Sequence, residues 1–435
     1  MTIAIKQVHP LFVGEVEKRT SLCQGPSDDV RCMRGEEMPE LDFGISDFDP
    51  FSDEALADPF SFHQNLRDRG PLLWLQKYDI WCAARYGDIK KILLDHGNFS
   101  SAGGAGLPNY FKQKPWRRPS LLLETDPPLH EPAHRVVVRT MSPGAMNNLR
   151  DGFHRKADEL ICKLVERGTF DAVKDLAEVF PFTVFVEALG IDNDGEDALL
   201  RYAEMVFAGF GPENAFYHQA MSHAPRVLPW IEKKCQREAL RPGSFGAQIY
   251  DAADAGEIPF EDAPLVLRSF LSAGLDTTMS ALGTMFHCLA THPQQWQLLR
   301  KNSSTLIRPT FDEVVRFDPP VWALFRTVLK DTEYAGITIG EHEKVLLLIG
   351  SANRDEARWP SPDSFEITRK TSGHLGFGTG IHGCVGQMVA RLEGEAILAA
   401  LTRHVKAIEL AGDPIRRLST GLRAFSSVPV SVQAN

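Results

Sequence analysis

The spacing of hydrophobic residues predicts a chain built mainly of helices. Through most of the sequence apolar residues recur with the spacing that places them on one face of a helix. Helices are predicted over residues 59–70, 87–95, 130–140, 146–167, 171–189, 196–207, 225–237, 245–255, 264–292, 311–317 and from just after residue 384 to about residue 404. Strands are predicted over residues 72–78, 79–84, 325–328, 334–337 and 344–348.

Residues 1–40 lack this periodicity. They mix Gly, Pro, Ser and alternating charges, so we expect a loosely ordered N-terminal extension followed by a single domain over residues 41–435. The chain has 435 residues, of which 43% are hydrophobic and 24% charged, a composition that can bury a large core without disulfides. Disordered, collagen-like and small disulfide-rich proteins are therefore excluded.

Charge and cysteine spacing narrow the function classes. The formal net charge of -10 argues against a nucleic-acid binder, which is normally basic. The seven cysteines form no C-x-x-C pair, which argues against a zinc ribbon or an iron–sulfur cluster and fits a reducing compartment. The most apolar stretch, residues 263–290, contains Arg268 and Asp276, so it predicts a buried helix and no membrane span. With no signal-peptide pattern at the N-terminus, we expect a cytoplasmic enzyme.

The most informative segment is the glycine-rich loop FGTGIHGCVG at residues 377–386. Its glycines let the backbone approach a flat ligand closely. Cys384 precedes a predicted helix, whose free N–H groups and dipole favour a thiolate suited to binding iron. The loop also contains the G-x-G-x-x-G pattern of a dinucleotide site. That interpretation is disfavoured, because residues 370–374 form no buried strand and the acidic residues that follow lie inside the predicted helix.

The motif F-x-x-G-x-x-x-C-x-G at residues 377–386 resembles the haem-binding loop of the cytochrome P450 monooxygenases. Two further motifs agree in order, E-x-x-R at residues 313–316 and the acid–alcohol segment AGLDTT at residues 273–278. The resemblance runs from about residue 50 to the C-terminus. It implies the cytochrome P450 fold, mainly α with small β-sheet regions, and a haem b whose iron is bound by the Cys384 thiolate.

The resemblance also implies roles for single residues. Asp276 and Thr277 are the catalytic pair, the acid relaying protons and the hydroxyl holding dioxygen. The haem contacts that it implies are His130, Arg326, His374, Phe377 and Gly378. Two positions depart from the family pattern: His134 and Ser364 stand where relatives usually or often have an Arg, and Arg369 is a candidate to compensate for the second.

The chain is further similar to the bacterial cytochrome P450 subfamily that oxidises para-substituted benzoates. The similarity lies in SLLLE at residues 120–124, VFAGFGP at 206–212, RSFLSAG at 268–274 and GSANRD at 350–355. The substrate-binding residues that it implies are Arg117, Ser120, Leu123, Phe207, Phe210, Arg268 and Ser269. A carboxylate leaves water only when it is paired and hydrogen-bonded, and a ring anchored at that end aims its para substituent at the iron.

The reaction implied is O-demethylation of 4-methoxybenzoate-type acids to 4-hydroxybenzoates and formaldehyde. Leu324 or Ala323 replaces an aromatic residue with which relatives line the pocket. We therefore expect room for a larger or meta-substituted ring.

Dioxygen and two electrons must come from outside, since the sequence has no flavin or iron–sulfur motif. Bacterial relatives use a 2Fe–2S ferredoxin with an NAD(P)H-dependent flavin reductase, and Arg391 is expected in the docking patch. Two alternatives stay open, a cytochrome P450 acting on neutral phenols or terpenoids and a haem sensor or carrier without turnover. Asp276 and Thr277 argue against the sensor, and also against a peroxide-driven enzyme, because neither needs a proton relay.

Overall fold

The computed structural model describes residues 45–192 and 196–435, so the predicted extension over residues 1–40 lies outside the described residues. The α-helices are α1 (Asp53–Ala57), α2 (Phe60–Arg69), α3 (Tyr86–Leu94), α4 (His130–Thr140), α5 (Pro143–Arg167), α6 (Val179–Pro181), α7 (Glu187–Leu189), α8 (Glu196–Ala208), α9 (Ala215–Met221), α10 (Ala224–Lys234), α11 (Phe245–Asp254), α12 (Ala263–Ala273), α13 (Asp276–Thr291), α14 (Pro293–Lys301), α15 (Ser303–Phe317), α16 (Ile349–Ala352) and α17 (Gln387–His404). The strands are β1 (Ile45–Ser46), β2 (Leu73–Leu75), β3 (Ile80–Ala83), β4 (Phe99–Ser100), β5 (Thr169–Asp171), β6 (Leu324–Val328), β7 (Thr332–Tyr334), β8 (Ile337–Ile339), β9 (Lys344–Leu347), β10 (Val405–Leu410), β11 (Ile415–Arg417), β12 (Ala424–Ser427) and β13 (Pro429–Ala434).

The helices pack around one large hydrophobic core, and their ends carry standard signals. In α5, Ser142 caps the N-terminus by accepting a hydrogen bond from the Ala145 N–H, and Gly168 ends the helix with a φ of 72°. α17 packs against α5 and α15. Gly394 lets α17 approach α15 closely, because a Cβ there would lie 2.2 Å from the ring of Phe311.

Small sheets flank the helices. The largest sheet of the described residues has the strand order β1-β2-β3-β9-β6-β4, with β9 parallel to β3 and antiparallel to β6. The C-terminal strands form β10-β13-β5 and the pair β11-β12, and β7 pairs with β8. Among the residues that the structure describes, no helix is long and apolar enough to cross a membrane.

The long helix predicted over residues 264–292 is divided into α12 and α13, with Gly274 and Leu275 between them. A Cβ on Gly274 would lie 2.2 Å from the Phe185 ring, so the glycine allows that aromatic side chain to pack against the break. α15 begins at Ser303, earlier than predicted, and continues through Pro309, which normally ends a helix. The segment predicted as a helix over residues 171–189 begins with β5 at residue 171 and contains π-helical turns at Ala172–Ala177 and Phe182–Val186.

His287 on α13 gives stability a dependence on pH. Burial, together with the nearby Arg416, lowers the pKa of His287 to about 4. The unfolded chain takes up the proton near pH 6.5, so between pH 7 and pH 5 protonation favours unfolding by about 1–2 kcal/mol. Urea unfolding at the two pH values measures this loss, and we expect it to shrink by that amount in His287→Gln. Parallel pH profiles of the two proteins would contradict the expectation.

Candidate active site

The loop at residues 377–386 is closed by its own backbone. The Cys384 N–H donates to the Phe377 carbonyl at 2.8 Å. Gly378 and Gly380 take φ values of 66° and 74°, a region that favours glycine. A short 3-10 turn precedes Cys384, and α17 begins three residues after it. The loop thus holds the cysteine between a tight turn and a helix N-terminus.

The side chain of Cys384 faces a cavity of about 270 Å³. The cavity is lined by the loop, including Phe377 and Gly378, by the break between α12 and α13, by Phe207 at the end of α8 and by Phe210 just after it. Burial raises the pKa of the Cys384 thiol, and the backbone N–H of Gly386 opposes that shift. Backbone N–H groups at the start of α17 therefore favour the thiolate, whereas burial opposes it.

Three histidines line another part of the cavity. The ring of His130 lies 4.8 Å from that of His134 and 4.6 Å from that of His382. His382 is held by Asp126, with 3.3 Å between Nε2 and Oδ1. Nε2 of His130 is buried and has no hydrogen-bond partner in the described structure, and burial with the neighbouring histidines lowers its pKa to about 4. Imidazole N–H groups beside a cavity fit the carboxylates of a haem.

The acid and the alcohol lie at the start of α13, and the cavity reaches only the alcohol. Thr277 lines the cavity, and its hydroxyl donates to the Ala273 carbonyl at 2.7 Å. Asp276 is buried, and its Oδ1 accepts from Nη2 of Arg417 at 2.7 Å. Arg417 ends β11, so a C-terminal strand holds the carboxylate in place.

At another end of the cavity the sequence brings hydroxyl and guanidinium groups together. Ser120 Oγ and Ser269 Oγ lie 2.9 Å apart, and both residues line the cavity with Arg117. Nη1 of the buried Arg117 donates to Oε2 of Glu124 at 2.8 Å. Burial opposes the charge of Arg117, but the Glu124 carboxylate outweighs it, and the pKa of Arg117 is raised.

Arg268 lies beside this group but does not line the cavity. Its Nη2 donates to the Arg118 carbonyl at 2.6 Å. No carboxylate of the described residues lies within salt-bridge distance of Arg268, and burial lowers its pKa. Among residues 45–192 and 196–435, Arg117 on the cavity wall and Arg268 beside it therefore place two guanidinium groups near the one carboxylate of Glu124.

The remaining wall is apolar. The rings of Phe207 and Phe210 meet edge to face, 5.5 Å apart at 70°, and Leu123 lines the same cavity. Leu324 also lines it, whereas Ala323 is buried outside it. Of the two residues, Leu324 is therefore the one whose side chain limits the space in the cavity.

Arg326 and His374 are not among the residues that line this cavity in the described structure. Arg326 is buried on β6 and donates to the Phe325 carbonyl at 2.8 Å. His374 lies where the chain turns into the loop, so its ring is directed to Asp312, 4.0 Å away, and lines a separate depression. The haem contacts predicted for these two residues stay predictions.

The E-x-x-R motif forms a buried ion pair behind the loop. Arg316 donates through Nε and Nη2 to the Glu313 carboxylate at 2.7 and 2.8 Å, and both side chains are fully buried. Arg369 approaches Glu313 at 3.2 Å and donates to the Ser364 carbonyl at 3.1 Å. Arg369 thus supplies the second guanidinium of this network, in place of the Arg that relatives often have at position 364, as the sequence suggested.

Three residues of the site were missed by sequence reasoning. His382 carries a signal, since it stands in the glycine-rich loop two positions before Cys384. Glu124 and Arg417 carry none, because an acid in a loop and a base in a short strand are ordinary surface patterns until the fold places them beside Arg117 and Asp276.

The cysteine loop, the apolar walls and the histidine side fit the haem expected from the motifs. Comparison with known families matches residues 246–421 to the family described as Cytochrome P450. The chain is 48% identical over 385 residues to cytochrome p450 CYP199A2 of Rhodopseudomonas palustris, covering 88% of this chain and 93% of that protein. It is 30% identical over 399 residues to cytochrome P450-terp of a Pseudomonas species, covering 83% and 90%.

Solved structures agree with these relatives. Cytochrome P450 CREJ in complex with (4-ethylphenyl) dihydrogen phosphate superposes with a TM-score of 0.79 at 28% identity, over 90% of this chain and 100% of that one. CalO2, at 24% identity and a TM-score of 0.76, shares the fold. The chain therefore belongs to the cytochrome P450 family and is a haem-thiolate monooxygenase.

Proposed function

We propose that this monooxygenase oxidises small aromatic carboxylic acids at the para position, and that it O-demethylates 4-methoxybenzoate-type acids to 4-hydroxybenzoates and formaldehyde. The observation that carries the proposal is the polar end of an otherwise apolar cavity, where Ser120, Ser269 and Arg117 meet. The structure of CREJ supports it, because its ligand has the same order of anionic head, ring and para substituent.

Charge at the polar end favours an anion. Arg117 and Arg268 together exceed the single carboxylate of Glu124 by one positive charge among the described residues. A buried carboxylate is stable only when it is paired and hydrogen-bonded, and the two serine hydroxyls can donate to it. A neutral phenol or terpenoid would leave that positive charge without a counter-ion.

The apolar wall then orients the ring. Phe207 and Phe210 present an edge-to-face pair that a benzoate ring can extend, with Leu123 beside it. With the carboxylate fixed at the far end, the para substituent is directed toward Cys384, the proposed iron ligand. Haem bound through this thiolate supplies the activation of dioxygen for oxidation of a C–H bond.

Thr277 and Asp276 handle protons in this proposal. The Thr277 hydroxyl lies on the cavity wall and can turn from the Ala273 carbonyl to a ligand in the cavity. Asp276 can relay protons only when its carboxylate exchanges Arg417 for water or Thr277. We assign the haem propionates to His130. Phe377 and Gly378 would lie against a face of the haem. Contacts from Arg326 and His374 stay predictions.

As a cytochrome P450 of the bacterial type, the enzyme takes its electrons from redox partners. We assign this role to a 2Fe–2S ferredoxin reduced by an NAD(P)H-dependent flavin reductase. Arg391 is not a free docking cation, because it donates to Asp312 at 2.7 Å and packs 4.5 Å from the Phe377 ring. The docking patch expected around Arg391 must use other basic residues.

Optical titration of the ferric protein with 4-methoxybenzoate and with its methyl ester tests the substrate proposal. We expect only the acid to shift the haem to high spin, because the ester cannot compensate the guanidinium charge. Arg117→Ala should abolish the difference. Equal shifts with acid and ester, or none with either, would refute the benzoate assignment and leave the monooxygenase assignment intact.

Leu324→Phe is expected to narrow the cavity selectively. The added ring should weaken binding of 3,4-dimethoxybenzoate relative to 4-methoxybenzoate by about tenfold, the effect of about 1.4 kcal/mol of overpacking. The ratio of the two dissociation constants measures it. Leu329→Phe is the control, since Leu329 is exposed beyond the end of β6. An unchanged ratio in Leu324→Phe would show that this side chain does not limit ring size.

A further inference from the structure

Lys344, at the start of β9, is a buried lysine bound entirely by backbone. Its side chain points into the loop that follows β4, and the residue is 3% exposed. Nζ lies within hydrogen-bonding distance of carbonyl oxygens of the described chain at Gly103 (3.0 Å), Gly104 (2.9 Å), Gly106 (2.6 Å) and Pro108 (3.0 Å). This ring of carbonyls resembles the oxygen shell that binds a metal cation.

The carbonyls converge where the loop folds back on itself, since the Gly103 carbonyl also accepts from the Tyr110 N–H at 3.0 Å. The Ala105 carbonyl, which lies between them, accepts from the Phe325 N–H at 3.1 Å. Gly103 must be glycine, since a Cβ there would lie 2.2 Å from Oγ1 of Thr327. Without a cation, several carbonyl dipoles would face each other in a buried space, which is costly.

Burial lowers the pKa of Lys344 to about 7, and the Glu124 carboxylate opposes that shift. A neutral amine has only two N–H donors, whereas an ammonium has three. The carbonyl ring therefore favours the charged form.

The same loop holds the substrate cavity in two places. The Leu107 N–H donates to the carbonyl of Phe210 at 2.8 Å, and Phe210 lines the cavity. The Tyr110 hydroxyl donates to Glu124 at 3.2 Å, and Glu124 in turn binds Arg117. A change in the ring of carbonyls is thus transmitted to Phe210 on the cavity wall and to the guanidinium of Arg117.

We propose that Lys344 is a positioning residue that acts as a built-in monovalent cation, ordering residues 103–110 so that Phe210 and Arg117 are preorganised for substrate. The part of this inference that concerns substrate affinity rests on the proposed function. The part that concerns the loop does not, because the carbonyl ring is a property of the fold.

The test replaces the tethered cation by a free one. In Lys344→Ala holoprotein, we expect the dissociation constant of 4-methoxybenzoate, read from the spin-state shift, to rise at least about tenfold in choline chloride. Ammonium or potassium chloride at the same ionic strength should restore it to within about threefold of wild type, because either ion fits the vacated ring and choline does not. Lys344→Met fills the space without charge, so it should bind weakly in all three salts.

Lys330→Ala is the matched control, since Lys330 is exposed beyond β6 and should respond to no salt. A wild-type dissociation constant for Lys344→Ala in choline would overturn the proposal, as would equal effects of ammonium on the Ala and Met variants. If Lys344→Ala does not fold, Lys344→Met decides, because a value within threefold of wild type contradicts the role of the charge.

A second readout separates this proposal from the substrate assignment. Limited proteolysis within residues 103–110 and thermal melting of the Ala variant should show protection by ammonium but not by choline. If wild-type protein fails to respond to 4-methoxybenzoate while this protection is seen, the substrate assignment fails and the cation role stands. Absence of protection overturns the cation role whatever the substrate.

Discussion

Replacing Cys384 by Ser is expected to lower turnover of the reconstituted enzyme by at least about 10³-fold, or about 4 kcal/mol of transition-state stabilisation. A serine hydroxyl is not ionised near neutral pH and is a poor ligand for haem iron, so the electron donation that a thiolate provides is lost. The cavity itself should persist, because the loop is closed by the backbone of residue 384 and not by its side chain.

Two measurements check this expectation, product formation with saturating electron donor and the absorption spectrum of the ferrous carbon monoxide complex. The variant should bind haem but lose the thiolate-type spectrum. Cys162→Ser is the control, since Cys162 lies on α5 beside His404, away from the cavity, and both readouts should match wild type. A thiolate spectrum in Cys384→Ser would place the ligand elsewhere.

Glu313→Gln is expected to lower the free energy of unfolding by about 3–5 kcal/mol, the cost of leaving a buried guanidinium without its counter-ion. Glu313 is fully buried, accepts hydrogen bonds from Nε and Nη2 of Arg316, and also contacts Arg369. The amide removes the charge and accepts fewer of these hydrogen bonds. A shift of the urea midpoint at unchanged slope measures the loss.

Glu366→Gln provides the comparison for that measurement. Glu366 contacts the same Arg369 at 3.4 Å, but its side chain is 46% exposed. Solvent screens that pair, so we expect a change of less than about 0.5 kcal/mol. Similar losses in both variants would show that burial of the pair does not determine its contribution.

Most of the helical architecture could be predicted because amphipathic helices such as α4 and α11 carry a clear period in the sequence. The break between α12 and α13 falls within residues 264–292, which were predicted as one helix, and Gly274 makes room for it. α14 and the C-terminal strands were not predicted. β11 and β12 have three and four residues, too few for alternation to be recognised, and they exist because the helical core offers them a surface.

Site residues could be predicted where they stand together in one short motif. They could not be predicted where the fold brings together residues that are distant in sequence. Cys384, Thr277 and the pair Glu313–Arg316 stand in short motifs with fixed spacing, and the structure places the first two on the cavity. The charge balance of Arg117 could not be predicted, because it depends on how the loop folds back to Glu124. The approach of His374 to Asp312 could not be predicted either, because it depends on how the loop packs against α15.

The bond between Asp276 and Arg417 has a consequence for recombining this enzyme with its relatives. The two residues are 141 positions apart and belong to segments that a crossover in the intervening chain would separate. A hybrid that keeps α13 but takes its C-terminal strands from a parent without a base at position 417 would leave the buried carboxylate of Asp276 without this partner. Such a hybrid would lose stability, because an unpaired buried charge is costly, and its proton-relaying acid would no longer be held in place. Compatibility at this pair is therefore a rule for choosing parents in a shuffled library.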